Sequence, residues 1–241
     1  MTTDEVRVVL EEFKAVPALC EVSLWKYPGF LNAPSVSYDR DGRVTLTGAA
    51  GAAVRYTIDG TEPGPQSPVY EKPFVLSSGG TVKAVSEGNG RKSSVTARVG
   101  PVPSRDWKVI SGERSAAAPE LAFDGDSGTL WHTHAPQGEI APPQALDIDM
   151  GRAVNVAAVL YTPRADSAKG TIDQYAVYFS KDGREWGTPA AEGEFSNIRA
   201  NPILQRIDLK APVKARYLRF VGRRVLEGSH VVIAELGVLE K

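Results

Sequence analysis

The chain has 241 residues, which is enough for one large domain or two smaller ones. Lys and Arg number 28 against 29 Asp and Glu, so the chain lacks the basic excess that a nucleic-acid-binding surface needs. No apolar run approaches the roughly 18 residues of a membrane span. The first residues show no signal-peptide pattern, so we expect no signal peptide in this chain. Cys20 is the only cysteine, which excludes an internal disulfide and a thiolate metal cluster.

The first predicted element is a short helix over Thr3–Ala15. Thr3 is a suitable N-cap, and the two acidic residues after it suit the positive end of a helix. Apolar residues then recur at helical spacing until Pro17 ends the pattern. This helix and the linker-like passage after it account for residues 1–32.

Residues 33–100 predict a small β-sandwich. Four stretches alternate apolar and polar residues, and Asp-Gly, Gly-Gly or Asn-Gly turn signals separate them. The stretches are "RVTLT", "VRYTID", "TVKAV" and "VTARV". The rings of Tyr56, Tyr70 and Phe74 are predicted to belong to its core. The proline-containing stretch "GPVPSRD" that follows, Gly100–Asp106, predicts a stiff linker.

The remaining residues, 104–241, predict a second β unit with longer loops. Its candidate strands are "ALDIDM", "VAAVLYT", "YAVYFS", "LQRIDL", "RYLRFV" and "HVVIAELGV". The fold class predicted for the chain is all-β, with two successive β-sandwiches and the short N-terminal helix.

A pair of carboxylates on one of these strands raises the question of catalysis. Asp147 and Asp149 alternate with the apolar Ile148 and Met150. This pattern indicates a solvated strand face rather than the cleft carboxylates of a glycosidase. No Ser-His-Asp spacing or phosphate-binding loop stands out either, so we expect no catalytic residues in this chain.

The stretch "AFDGDSGTLWHT", Ala122–Thr133, places two acids and a hydroxyl in one loop. Oxygens of Asp124, Asp126 and Thr129 fall at offsets of 0, 2 and 5, so a curled loop can present them to one cation. The alternative is a plain turn, because Asp-Gly sequences form turns without any metal. Calcium takes about six to eight oxygens, so a remote acid has to contribute. Glu235 is the candidate, because a charge within the apolar final strand needs a partner.

Several separated stretches together resemble the discoidin fold, also called the coagulation factor V/VIII type C domain. They are "LAFDGDSGTLWHT", "YTPRADSAKGTIDQYAVYFSKDGREWG", "RYLRF" and "IAELGVLE". Within this fold they are most similar to the family 32 carbohydrate-binding modules of bacterial glycoside hydrolases. The resemblance implies a galactose-binding-like jelly-roll sandwich over residues 104–241, with a structural calcium ion. The calcium ligands that it implies are the carbonyl oxygens of Leu121 and Ala234, the side chains of Asp124, Thr129 and Glu235, and an oxygen of Asp126.

The same resemblance assigns sugar-binding roles to His132 and Arg164. It implies a hydrogen bond from His132 to a sugar hydroxyl, often the axial O4 of galactose, and a forked contact from Arg164 to neighbouring hydroxyls. From the residue alone, His132 is equally an exposed histidine with no role. Lys169 occupies a position where the family often has asparagine, and His230 is the candidate to stack on the sugar. These departures leave open another sugar, or a lost sugar site in a structural or protein-interaction module that packs on a catalytic barrel.

The stretch "VRYTIDGTEPGPQSPVYEKPFVL" resembles the chitobiase-type C-terminal domain, a spacer module of bacterial glycosidases. The two domains in this order resemble the tail of a family 29 α-L-fucosidase-like enzyme. The expected function is therefore a non-catalytic carbohydrate-binding tail that binds terminal galactose-type sugars on glycans. The expected partners are glycans and a parent catalytic domain, with no nucleic acid and no membrane. The expected location is secreted or periplasmic in a bacterium.

Overall fold

The computed structural model describes residues 31–112, 118–133 and 141–241. The helix predicted over Thr3–Ala15 lies outside these residues. Within them the chain is almost entirely β, with one short 3-10 helix at Pro119–Ala122 (η1), so the predicted all-β fold class is confirmed. In this part of the chain no helix has the length and apolar character to cross a membrane.

The first sandwich consists of two small sheets. Strands β1 (Ser35–Tyr38), β2 (Arg43–Thr47) and β4 (Phe74–Val75) form the first sheet in the order β1-β2-β4. The second sheet has the order β3-β5-β6, and β7 pairs with β5. Its strands are β3 (Ala53–Thr57), β5 (Gly80–Gly88), β6 (Arg91–Lys92) and β7 (Thr96–Gly100).

Alternating residues of these strands form the first core. The buried members include Val44, Leu46, Val54 and Val82. The three predicted aromatic residues pack against this core as half-buried side chains. The ring of Tyr56 stacks on Phe74 with 4.8 Å between centroids, and Tyr70 meets Tyr56 edge-on at 6.3 Å. Such ring pairs add stability beyond the apolar area that they bury.

The second sandwich is built on one long curled sheet with the order β15-β10-β13-β11-β14-β9. Two further strands join it, because β12 pairs with β11 and β8 pairs with β10. Its strands are β8 (Lys108–Gly112), β9 (Trp131–His132), β10 (Gln144–Thr162), β11 (Lys169–Ser180), β12 (Ala191–Glu194), β13 (Gln205–Val225), β14 (Glu227–Ile233) and β15 (Glu235–Glu240).

The two longest strands each merge two strands that the sequence predicted separately. β10 and β13 pair on both sides of an irregularity, where the register passes from Asp149↔Tyr217 to Val154↔Ala215. Gly151 lies in this irregularity with φ +75°. A bulge of this kind bends a strand without ending it. The bend lets one strand contribute to both layers of the sandwich, with Ile148 and Tyr161 fully buried on its two halves.

The predicted stiff linker, residues 100–106, is packed between the two sandwiches, and we call it the seam. The Val102 side chain is buried in the second core, and its N–H donates to Val238 O at 2.8 Å. Ser104 donates its N–H to Arg40 O at 2.9 Å and its hydroxyl to Phe123 O at 2.7 Å. The backbone of the seam therefore hydrogen-bonds to both sandwiches, which a free spacer does not do.

The carboxylates of Asp147 and Asp149 are not the solvated pair that the alternation predicted. Arg219 forms a bidentate ion pair, here called a fork, with Asp147, in which both N···O distances are 2.7 Å. The centre of the Trp186 ring lies 4.3 Å from the Arg219 guanidinium carbon. Asp147 is only 3% exposed as a result. Arg216 forms the same fork with Asp149 at 2.7 Å but is itself more open to solvent. Each carboxylate is therefore paired with its own guanidinium group, and the absence of catalytic residues stays a prediction.

These two forks provide a matched pair of variants. Arg219→Ala leaves Asp147 buried without its cation, so we expect the free energy of unfolding to fall by about 3 kcal/mol. Arg216→Ala removes a more exposed pair and should cost clearly less. Chemical denaturation of both variants measures the difference. Equal losses would contradict the burial argument.

Candidate functional site

The candidate metal loop follows η1 and curls on its own side chains. Asp124 Oδ1 accepts the Asp126 N–H at 2.9 Å, and its Oδ2 accepts the Thr129 hydroxyl at 2.8 Å. Thr129 Oγ1 is also 2.9 Å from the carbonyl oxygen of Asp126. The oxygens of all three predicted loop residues therefore lie within one turn, as their spacing predicted.

Glu235, the first residue of β15, meets this loop from a distant part of the chain. Its Oε1 accepts the Gly125 N–H at 2.9 Å. Burial and a direct contact with the Asp124 carboxyl group raise the pKa of Glu235 to about 8, although the Gly125 and Asp126 N–H groups act in the opposite direction. Two carboxyl groups in contact share a proton unless a cation lies between them. The predicted contact between loop and final strand is thus present.

The oxygen set around this contact fits calcium better than a transition metal. The described residues contain no cluster of three or more His, Cys, Asp or Glu side chains that could hold a metal ion. The anionic candidates are Asp124 and Glu235, so any further ligands of a cation there would be neutral oxygens. Calcium accepts such mixtures of carboxylate, hydroxyl and carbonyl ligands in irregular geometry.

The remaining predicted ligands lie on the elements that flank this contact. Leu121 is in η1 and Ala234 is the fully buried residue between β14 and β15. The Asp126 carboxylate accepts the Gly128 N–H at 2.8 Å, so this side chain also stabilises the turn. Metal ligation by all six predicted residues stays a prediction.

The position of His132 is fixed by its two neighbours in sequence. Trp131 is 1% exposed and lies in the second core, as predicted. Thr133 is equally buried, and its hydroxyl accepts the Val231 N–H at 2.8 Å and donates to the Gln144 side chain. Because successive side chains of a strand alternate, His132 points to the opposite face from Trp131 and Thr133.

The strand next to β9 carries the second predicted histidine. β14 pairs with β9 so that Val232 is opposite His132 and Ile233 is opposite Trp131. His230 is two residues from Val232, so His230 and His132 project from the same face of the sheet. Both are half-buried.

Lys169 begins the strand on the other side of β14, where it pairs with Glu227. The next residue, Gly170, has φ +76°, and a Cβ there would lie 2.3 Å from the Val232 side chain and 3.0 Å from His230 O. Only glycine permits this approach. The structure thus brings His132, His230 and Lys169 onto three adjacent strands, which we call the rim.

Arg164 lies in the loop between β10 and β11, five residues before Lys169. Its Nε and Nη2 donate to the two carboxylate oxygens of Asp166 at 2.7 and 2.8 Å. This pair raises the pKa of Arg164 and lowers that of Asp166. The guanidinium edge that the resemblance assigned to sugar hydroxyls is therefore occupied by Asp166, and the other N–H groups of Arg164 are the ones left for a ligand.

Two cavities lie near these groups. A larger one, of about 410 Å³, lies along the seam and is lined by both sandwiches, mostly with apolar side chains. Glu235 and Gly125 of the candidate metal loop form part of its wall. A smaller one, of about 200 Å³, lies behind the loop that carries Arg164.

Sequence reasoning missed the polar pair that positions His132. Thr133 and Gln144 are each 1% exposed, and both interact with the Val231 N–H. Buried polar groups of this kind are stable only with partners. Trp131 was predicted to be buried, and Thr133 lies two residues later on the same face, so the burial of Thr133 could have been predicted. Nothing in the sequence distinguishes Gln144 from a surface glutamine.

A comparison with protein-family models identifies the class of protein. The F5/8 type C domain model matches residues 106–236, more than half of the chain. The chain therefore belongs to the F5/8 type C domain family, which is the discoidin family that the sequence resembled. The chitobiase/beta-hexosaminidase C-terminal domain model matches residues 33–98.

Two curated relatives are much longer enzymes. A galactose oxidase from Gibberella zeae is 30% identical over 158 residues, which are 60% of this chain and 22% of the oxidase. A sialidase from Micromonospora viridifaciens is 26% identical over 218 residues, which are 89% of this chain and 30% of the sialidase. The chain thus spans less than a third of the length of either relative.

Among solved structures, the chain is similar to the family 32 carbohydrate-binding module of Clostridium perfringens NanJ in complex with galactose. The TM-score is 0.51 at 28% sequence identity, over 58% of this chain and 98% of the module.

The contact between Asp124 and Glu235 predicts an unusual dependence of stability on pH. The Glu235 pKa is about 8 in the folded chain against an ordinary value of 4.5, so the folded state retains a proton that the unfolded state releases. With calcium removed by a chelator, the contribution of Glu235 to stability should therefore be greatest below the ordinary pKa and be lost as pH rises from about 4.5 to about 8.

Chemical denaturation in chelator across this range, with Glu235→Gln as the control, measures this dependence. The glutamine does not titrate, so the variant should lose less stability over the same range. The same pH dependence in both proteins would contradict the assignment to Glu235.

Proposed function

We propose that this chain is a non-catalytic carbohydrate-binding part of a glycoside hydrolase, and that its second sandwich binds terminal galactose-type sugars. The observation that carries the proposal is the placement of His132, His230 and Lys169 on three adjacent strands, with Arg164 in the loop that precedes the third. Family membership and the galactose-bound structural relative support it.

The rim residues have complementary roles in the proposed site. His132 exchanges a hydrogen bond with one sugar hydroxyl, and the buried neighbours of His132 hold it in place before the sugar arrives. Arg164 and Lys169 donate to further hydroxyls, the first from a fixed plane and the second from a flexible stem. His230 provides a ring face for the apolar side of the sugar, with less area than tryptophan. Such an open rim makes few hydrogen bonds that add net affinity. We therefore expect a millimolar Kd, which corresponds to a binding free energy of about −4 kcal/mol.

Calcium is proposed as a structural brace rather than a direct sugar ligand. The proposed ligands are Asp124, Asp126, Thr129 and Glu235, with the carbonyl oxygens of Leu121 and Ala234. When bound, the ion neutralises two carboxylates that otherwise share a proton. The loop leads directly into Trp131 and His132, so tying it to β15 also steadies the start of the rim.

The parent enzyme is proposed from the domain order. A chitobiase-type domain followed by an F5/8 type C domain suits the tail of a family 29 α-L-fucosidase-like hydrolase, and a secreted or periplasmic bacterial enzyme suits the use of glycans. Weak binding by the module is then useful because tethering raises the local concentration of substrate around the catalytic domain.

The alternative function is a structural or protein-interaction module that packs on the catalytic domain. The observation that favours it is the fork between Arg164 and Asp166, which occupies the guanidinium edge that would otherwise bind the sugar. The sugar titration below separates the two functions.

The sugar site is tested by isothermal titration with methyl galactoside. We expect a Kd of about 1 mM, and at least a tenfold weaker affinity in the double variant His132→Ala Arg164→Ala. Arg206→Ala is the control, because Arg206 forms an exposed pair with Asp208 on β13. Absence of binding to every galactoside tried would favour the structural alternative.

The calcium brace is tested by thermal unfolding with calcium and with chelator. For a Kd of about 10 μM, 1 mM calcium adds about 2.7 kcal/mol to stability. The increase in Tm should disappear in Asp124→Asn and persist in Asp59→Asn, which changes an exposed turn aspartate of the first sandwich. A calcium-dependent Tm increase that survives Asp124→Asn would contradict the proposed site.

A further inference from the structure

The smaller cavity lies beside the rim and has the composition of a sugar subsite. Its volume of about 200 Å³ is below the usual range for drug-sized ligands, about 300–1,000 Å³. This size suits a single ring rather than an extended ligand. Its lining includes Asp166, Ala168, Ile198, Arg199, Pro202 and Leu226.

Two charged side chains in this lining have hydrogen-bonding partners on neighbouring segments. The carboxylate of Asp166 is forked by Arg164, which leaves further lone pairs on both oxygens. The guanidinium of Arg199 donates to Glu227 Oε1 at 2.6 Å and lies 3.4 Å from Leu226 O. An arginine has five N–H donors, so Arg199 has others for a ligand.

The cavity and the rim share their wall. The loop that carries Arg164 continues through Asp166 and Ser167, whose hydroxyl accepts the Lys169 N–H at 3.1 Å. Lys169 in turn is paired in register with Glu227, the partner of Arg199. A glycan whose terminal residue contacts Arg164 and Lys169 is thereby brought next to the cavity at its following residue.

We infer that the cavity is a second subsite, which takes the neutral sugar adjacent to the terminal galactose-type residue. This inference rests on the proposed sugar site and extends its ligand from a monosaccharide to a disaccharide. A sugar hydroxyl both donates and accepts, which matches a lining that offers a guanidinium beside a carboxylate. The charges of Arg199 and Asp166 balance. The attraction of Arg199 for an acidic sugar is offset by repulsion from Asp166, so the lining favours a neutral sugar.

The apolar part of the lining completes the match. Ile198, Pro202 and Leu226 provide a surface for the C–H groups of a sugar ring. The lining contains no aromatic residue among those described, so the contribution of the subsite is modest. We expect the best disaccharide to bind about tenfold more tightly than methyl galactoside, which corresponds to about 1.4 kcal/mol.

The test is isothermal titration of the full chain with methyl galactoside and with a panel of disaccharides that carry terminal galactose in different linkages. Arg199→Ala removes the donor, and Ala168→Leu fills the cavity without removing a hydrogen-bonding side chain. Arg206→Ala is again the control. Both test variants should lose the tenfold preference for the disaccharide and keep the affinity for methyl galactoside, while the control keeps both.

Each other outcome overturns the inference in a recognisable way. Equal affinity of the wild-type chain for methyl galactoside and for every disaccharide shows that the cavity takes no sugar, although the rim binds. Equal weakening of both ligands in Arg199→Ala assigns the residue to the rim structure and not to a subsite. Binding of neither ligand by the wild-type chain removes the proposed function itself, and the subsite with it.

Discussion

The meeting of the Asp124 and Glu235 carboxyl groups is the constraint on which the functional end of the molecule depends. One acid comes from the loop before β9 and the other from the start of β15, more than a hundred residues later. Glu235 is also paired in register with Thr162, the last residue of β10. The loop with Arg164 follows Thr162. The contact between Asp124 and Glu235 therefore helps to position both the segment that leads to His132 and the loop that leads to Lys169. Without a cation Glu235 keeps a proton up to a pKa of about 8, and a bound cation would take the place of that proton. This exchange is the physical reason to propose calcium there.

The seam extends this organisation to the first sandwich. A Cβ at Gly125 would lie 3.3 Å from the backbone nitrogen of Arg40, so the metal loop packs directly on a turn of the first sandwich. The Arg40 guanidinium lies 5.9 Å from the ring centre of Phe123, and the seam hydrogen bonds run beside it. The chitobiase-type sandwich therefore packs against the candidate metal loop. If the second sandwich binds sugar as proposed, this packing presents the rim in a fixed direction.

The sequence predicted well where a single local rule decides the structure. The stretch "RVTLT" is strand β2 as it stands, because its alternation buries Val44 and Leu46 on one face. The stretches "ALDIDM" and "VAAVLYT" were predicted as separate strands, and they form one strand with a bulge around Gly151 because the partner strand β13 continues past it. The seam was predicted to be a stiff linker and not a packed segment, because the burial of Val102 depends on β15, which is far away in sequence. The fork between Arg164 and Asp166 depends on side-chain rotamers, which no spacing rule specifies.

The most direct measurement for the central claim is an NMR titration of galactose into the ¹⁵N-labelled chain, once with calcium and once with chelator. We expect galactose to shift the backbone amide signals of His132, Lys169 and His230 at lower concentration when calcium is present, because the loop that carries His132 is then tied to β15. The same amide shifts at the same galactose concentrations in both conditions would contradict the account, since the contact of Asp124 with Glu235 would then have no influence on the rim.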